Sequence, residues 1–447
     1  SFIIFRKCSG TSTKKTKSYR MKTFINPKRD TWPEILKRPL FDVSDLYGNV
    51  QTILNEIKLS GDSALQKYTL QFDGIKLNSF LVIEKEIKEA ENQVEDDLKE
   101  AISLASKNIE KFHSAQKQEF NKIETTPGVT CWQKAVPIEK VGLYIPGGTA
   151  PLFSTVLMLA IPAQIAGCKE IFLCTPPDKN GKIHPAILYA AKISGVTQIY
   201  KLGGVQAIGA MAFGSETIPK TDKIFGPGNQ FVMAAKQLVS MNDVAVDMPA
   251  GPSEVLVVAD ETTNPAFVAS DLLSQAEHGA DSQVVLVANN IEVVEKVIRE
   301  IETQLLQLPR KETAAKALSN SILIVQENIR DQIDLINEYA PEHLILSLKN
   351  YTEFSDNIIN AGSVFLGELT PESAGDYASG TNHTLPTNGW ARSYSGVNLD
   401  SFLKKITFQE ITKEGLKNIG PAIEKMAAAE ELEAHKNAVT LRLKNLD

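Results

Sequence analysis

Apolar residues recur at steps of three and four from Ile87 through Ala90, Val94, Leu98, Ile102, Ala105 and Ile109 to Phe112, with Glu and Lys between them. That spacing predicts one long amphipathic helix within 82–120. From Lys140 the texture changes to short apolar runs separated by helical patterns: Val141 to Ile145, Glu170 to Cys174, Gln198 to Leu202 and Asp222 to Phe225. A second series follows at Glu254 to Asp260, Gln283 to Ala288, Ser321 to Val325, His343 to Leu348 and Ser363 to Leu366. The alternation of these runs with helical patterns predicts two α/β units in tandem, each with a parallel sheet. Beyond Lys404 the chain reads as largely helical and highly charged.

The chain has 447 residues, 43% of them hydrophobic and 23% charged, ordinary for a globular protein and long enough for two sizeable domains. The uncharged stretch from Val141 to Cys168 is broken by Pro146, Pro151, Pro162, Gly147 and Gly148 into strand, loop and helix, so no membrane span is predicted. A net charge of −7 disfavours nucleic-acid binding. The four cysteines (Cys8, Cys131, Cys168, Cys174) show no CxxC spacing, which argues against a disulfide framework and fits a reducing, cytoplasmic setting. Residues 1–20 carry six basic side chains and no acid. They read as a start assigned too early, Met21 being the natural beginning; an organellar transit peptide is the alternative.

Gln275 and His278 stand three apart, which on a helix places both on one face, able to share an ion. The plainer reading is a helix C-terminus capped at Gly279. Asp376 lies in a glycine-flanked segment, where an ordinary Asx-turn is the plain alternative. A Gln oxygen, an Asp oxygen and two His nitrogens, drawn from His278, His343, His383 and His435 in the second half of the chain, would suit a borderline divalent ion such as zinc. Glu342 and His343 follow Pro341 at a strand entrance; an imidazole beside a carboxylate is a competent proton acceptor, although neighbours on a regular strand face opposite ways. No G-x-G-x-x-G occurs, so any dinucleotide site would use Gly203-Gly204, Gly226-Pro227-Gly228-Asn229 and the Gly147-Gly148 loop, each placing glycine where a helix could meet phosphate.

Eight segments in unbroken order resemble the histidinol dehydrogenase family: VGLYIPGGTAPLFSTVLMLAIPAQIAG, GGVQAIGAMAFG, FGPGNQFVMAAK, DMPAGPSEVLV, DLLSQAEHGADSQ, EYAPEHL, SAGDYASGTNHTLPT and EELEAHKNAV. The resemblance runs from about Met21 to the C-terminus. It implies an NAD-dependent oxidation of L-histidinol through L-histidinal to L-histidine, the last steps of histidine biosynthesis, on a homodimer with one Zn2+ per subunit. It further implies zinc held by Gln275, His278, Asp376 and His435, the last from the partner subunit. Glu342 and His343 would be the acid/base pair and Tyr144, Gln206 and Asn229 would line the NAD site. Ser253 and Glu430 would touch substrate alongside His343 and the zinc ligands. The leader before Met21 has no place in the family pattern.

The expected architecture is two tandem Rossmann-like domains, incomplete for want of the glycine fingerprint, with small helical modules at both ends. Its expected boundaries are a leader at 1–20, an N-terminal module at 21–40, and a first α/β domain made of 41–143 and 255–397. A second, on the NAD side, spans 144–254, and a helical module used in dimer contact spans 398–447. The nearest rival is a paralogous zinc- and NAD-dependent dehydrogenase for another polar alcohol. A zinc hydrolase using Glu342 lacks any HExxH spacing, and a non-catalytic binding protein would need no acid/base pair.

Overall fold

The structure, a computed structural model, describes residues 3–4, 20–39, 44–147, 150–249 and 251–446. Two parallel sheets organise it. The five-stranded sheet has the order Gln198–Lys201, Glu170–Thr175, Lys140–Tyr144, Lys223–Phe225, Ala245–Val246, all parallel. In the seven-stranded sheet the central order is Ile322–Val325, Gln283–Ala288, Glu254–Ala259, His343–Ser347, Ser363–Leu366, again all parallel. Both sequences of strands therefore run outward in both directions from their first member, leaving a switch point beside Lys140–Tyr144 and another beside Glu254–Ala259.

The apolar runs form strands because helices cover both faces. Val255 and Val257 pack with Val268, Leu272 and Val297 on one side, while Leu256 and Val258 pack with Leu335, Ile336 and Tyr339 on the other. The five-stranded sheet repeats this, with Val141 and Leu143 facing the helix Phe153–Ala166, and Tyr144, Phe172 and Cys174 facing the helix Gly204–Phe213. Pro162 is accommodated inside the first of these helices. No helix is long and apolar enough to cross a membrane among the described residues.

The expected helix over 82–120 is two, Glu84–Glu91 and Asp96–Ser114. The extended Glu95 (φ −64°, ψ 148°) is followed by Asp96 and Asp97, so the acids gather at a fresh N-terminus where the helix dipole favours them. Ser44–Asp73, bent at Gly61 (φ 48°), completes this layer. These helices bury Leu54, Ile57, Leu65, Ile102 and Ile109 against the five-stranded sheet and its own helices. They belong with that sheet, and not with 255–397 as the expected partition had it.

The N-terminal segment also differs from a free-standing module. Lys22–Ile25 is a strand paired in parallel with Ile322–Val325, and Ile3–Ile4 pairs antiparallel outside it. At the other end the helices Lys413–Ala429 and Glu433–Lys444 are present as expected, but a nine-residue strand, Leu403–Ile411, precedes them. It pairs antiparallel with Val129–Pro137, which turns back onto Ile123–Thr126 through Pro127-Gly128, the glycine adopting φ 80°. The leader reading falls on residues that lie outside the described ones, apart from 3, 4 and 20.

Candidate functional site

A buried cluster of carboxylates and imidazoles sits at the entrances of two adjacent strands, Glu254–Ala259 and His343–Ser347. Glu342, just ahead of its strand, accepts the backbone N–H of Glu254 at 2.9 Å and the side-chain amide of Gln275 at 3.5 Å. His343 places Nδ1 3.3 Å from the Glu254 carbonyl and 3.6 Å from Glu342. A carbonyl can only accept, so Nδ1 carries the proton of that bond, and Nε2 faces Asp376 Oδ1 at 3.7 Å. Both side chains serve one pocket because they stand at the element's edge, where strict alternation has not begun.

Asp376 comes from the short helix Glu372–Tyr377, and Glu372 one turn earlier points into the same cluster, 3.8 Å from His343 Nδ1. Oxygen and nitrogen atoms of His278, Glu372 and Asp376 all lie within 4.8 Å of one another, a separation one divalent cation spans. Gln275 closes the last turn of Pro265–Ala276, and His278 lies just past its end, its N–H on the Gln275 carbonyl at 3.3 Å. His278 is thus in a following turn and not on the helix. Gly279 does not adopt a left-handed cap conformation. Gln275 Oε1 and His343 Nε2 are buried without a hydrogen-bond partner.

The electrostatics follow from this crowding. Burial opposes charge on the His343 ring, but Glu372, Glu342 and Asp376 outweigh it and hold the imidazole well above its ordinary range. Burial raises Glu342, with His343 pulling the other way, and pushes Glu372 up to about 8. Asp376 is lowered, because its contact with His343 and the nearby imidazoles overcomes the cost of its own burial.

A second site lies at the opposite kind of edge. Where the strands of the five-stranded sheet end, a cavity of about 1240 Å³ is lined by Tyr144, Gly147, Thr175, Gly204, Gln206 and Asn229, among others. It opens beside that sheet's switch point, the usual location for nucleotides in such sheets. The Tyr144 hydroxyl accepts the N–H of Gly204, which starts the helix Gly204–Phe213 in a left-handed conformation (φ 59°). Asn229 caps Gln230–Ser240, its Oδ1 accepting from Phe231 and Val232.

The structure brings together Gln275, His278, Asp376, Glu342 and His343 in one cluster, and Tyr144, Gln206 and Asn229 around one cavity. Ser253 precedes the strand that supports Glu342 and is partly buried. Glu430 and His435 are exposed on the C-terminal helical pair, and a single chain does not bring His435 into the cation-sized group. Sequence reasoning missed Glu372, for which the only available signal was its four-residue spacing from Asp376. It also left His383 unassigned. That ring bonds the Asp376 carbonyl at 2.9 Å and the Thr155 hydroxyl at 3.1 Å, joining the cluster to the helix Phe153–Ala166.

A family profile described as histidinol dehydrogenase matches residues 36–443. Histidinol dehydrogenase from Bacteroides thetaiotaomicron is 62% identical over 426 residues, covering 95% of this chain and all of that one. Its counterpart from Escherichia coli K12 is 52% identical over 416 residues, 92% of this chain and 95% of the relative. The crystal structure of histidinol dehydrogenase from Elizabethkingia anophelis superposes with a TM-score of 0.93 at 60% identity, over 95% of this chain and 98% of that one. With its residues, its fold and its relatives in agreement, the chain belongs to the histidinol dehydrogenase family, oxidoreductases of histidine biosynthesis.

Proposed function

We propose that the protein oxidises L-histidinol through L-histidinal to L-histidine with two equivalents of NAD+, as a cytoplasmic homodimer binding one Zn2+ per subunit. The observation that carries this reading is the buried His343, ringed by Glu342, Glu372 and Asp376 and adjoining a cation-sized set of ligand atoms. The donors suit zinc. His278 offers a nitrogen, Asp376 a carboxylate, and Gln275 a buried amide oxygen with no other partner, while His435 and Glu430, exposed in one chain, are free to complete the site of a second. A bound zinc ion would supply a Lewis-acidic anchor for the substrate's imidazole and amine.

With Nδ1 committed to the Glu254 carbonyl, Nε2 is the atom of His343 that takes the hydroxyl proton as hydride leaves carbon for NAD+. The surrounding carboxylates stabilise the imidazolium that forms once the proton is taken. Glu342, fixed by two donors, is placed to draw a proton from the water that hydrates the aldehyde, and His343 then acts again in the second oxidation. Ser253 orients the substrate with Glu430 from the partner. Tyr144, Gln206 and Asn229 receive the dinucleotide in the cavity beside the five-stranded sheet. Unpartnered Gln206 Oε1 and the half-buried start of a helix at Gly204, on the cavity wall, suit a nucleotide's hydroxyls and phosphates.

The test is NAD+ reduction with L-histidinol on wild type, chelated protein and His343→Asn. Two NADH per substrate are expected, with activity lost on chelation and falling by roughly 100-fold or more in the variant. Equal rates on unrelated polar alcohols, or turnover untouched by chelation, would overturn the assignment.

A further inference from the structure

The dinucleotide cavity contains one charged group whose placement is costly. Asp73 is the last residue of Ser44–Asp73, where the helix dipole is negative, and no basic residue occupies that last turn. Its carboxylate is half-buried, and that burial raises its pKa. Its one recorded hydrogen bond comes from Gln206 Nε2 at 3.2 Å. No ion pair joins it to a lysine or arginine among the described residues. A carboxylate kept there against desolvation and dipole is a candidate for ligand recognition.

Gln206 is 1% exposed, and its amide orientation follows from Asp73. With Nε2 donating to the carboxylate, Oε1 is left as a buried acceptor with no partner. Both residues line the cavity, so two acceptor groups stand side by side on its wall. The nearby Tyr144 phenol, pushed by burial up to about 12 and with Asp73 adding to the shift, stays protonated. Other charged groups on the wall are already engaged or outlying. Lys67 is bound by both oxygens of Glu56, Glu86 pairs with Lys201, and Lys182 is exposed near Asp178. No arginine lines the cavity among the described residues.

We propose that Asp73, with the Gln206 amide it orients, accepts the 2′,3′-diol of the cofactor's adenosine ribose and rejects a phosphate at that position. Two adjacent acceptors match two hydroxyl donors, whereas a 2′-phosphate would bring two negative charges onto a half-buried carboxylate with no arginine on the wall to offset them. This inference rests on the dinucleotide reading of the cavity and adds to it the residue that selects the unphosphorylated cofactor.

Calorimetry with ADP-ribose and 2′-phospho-ADP-ribose tests it without requiring turnover. Wild type should bind ADP-ribose roughly tenfold or more tighter than its 2′-phosphate, and Asp73→Asn should bring the two within about threefold. Steady-state kinetics should show the KM for NAD+ rising about tenfold in Asp73→Ser, with the KM for L-histidinol unchanged. Thermal midpoints should not fall in either variant, because the carboxylate is unfavourably placed, so a loss of affinity cannot be mistaken for unfolding. Equal binding of the two nucleotides by wild type, or a preference preserved in Asp73→Asn, would overturn the proposal. A clear preference in a protein that fails to oxidise L-histidinol would instead leave it standing and remove the functional reading.

Discussion

Asp271 stands one turn before Gln275 in the helix Pro265–Ala276, and burial pushes its carboxyl up to about 7 from an ordinary 3.8. A carboxyl raised on folding contributes stability that is full below the unfolded value and is lost as pH climbs through the folded one. In chelated protein, Asp271→Asn should therefore gain on wild type between pH 4 and pH 8, by up to about 4 kcal/mol. Urea midpoints at the two ends of that range measure the gain; parallel midpoints would refute it. Asp271 lies inside the segment DLLSQAEHGADSQ and Glu372 just ahead of SAGDYASGTNHTLPT, yet neither was singled out, since an acid in an apolar helix or short loop has no spacing of its own that marks it. The contact of Gln275 with Glu342, 67 positions apart, exists only once the sheet has formed. The motif residues were legible; their companions required the fold.

At the scale of elements, Lys236 and Asp247 form an ion pair with both side chains 2% exposed. Lys236 also donates to the Gly226 carbonyl at 2.8 Å, and Asp247 accepts the Gly226 N–H at 2.8 Å and the Met248 N–H at 2.7 Å. The pair thereby ties Gln230–Ser240 to the turn after Lys223–Phe225 and to the chain leaving Ala245–Val246. Lys236→Met should lower stability by about 3–5 kcal/mol by stranding the carboxylate, read as a fall in the denaturant midpoint. Adding Asp247→Leu should recover only part of this, because two backbone N–H groups then lose their acceptor.

Strands covered on both faces were easy to read. Gln283–Ala288, buried along its whole length, has the bounds the sequence suggested, because an unbroken apolar run leaves little choice. Leu403–Ile411 escaped notice for the opposite reason. Its residues are mostly exposed, and the pattern is interrupted by Lys404, Lys405, Gln409 and Glu410. Its stability comes from cross-strand partners such as Trp132, stacked 5.5 Å from Phe408, which lie far away along the chain.

For the molecule as a whole, the shared-site reading makes a quantitative demand. His278→Ala and His435→Ala should each be inactive alone. Refolded together as mixed dimers they should recover about a quarter of wild-type activity, since half the dimers are mixed and each has one intact site. No recovery would mean that each chain supplies its own ligands. Two sheets were legible from the rhythm of the runs, but the side on which 44–114 packs was not, because an amphipathic face does not name its partner.

The strand Lys22–Ile25 lies 300 positions from the neighbour it pairs with, Ile322–Val325. During synthesis that opening segment has nothing to join until most of the polypeptide has left the ribosome, so this border of the sheet is among the last parts to close. Cleavage after residue 20 would spare the pairing, while trimming a few residues further would strip a strand and bare the backbone edge of Ile322–Val325 to any other extended chain nearby.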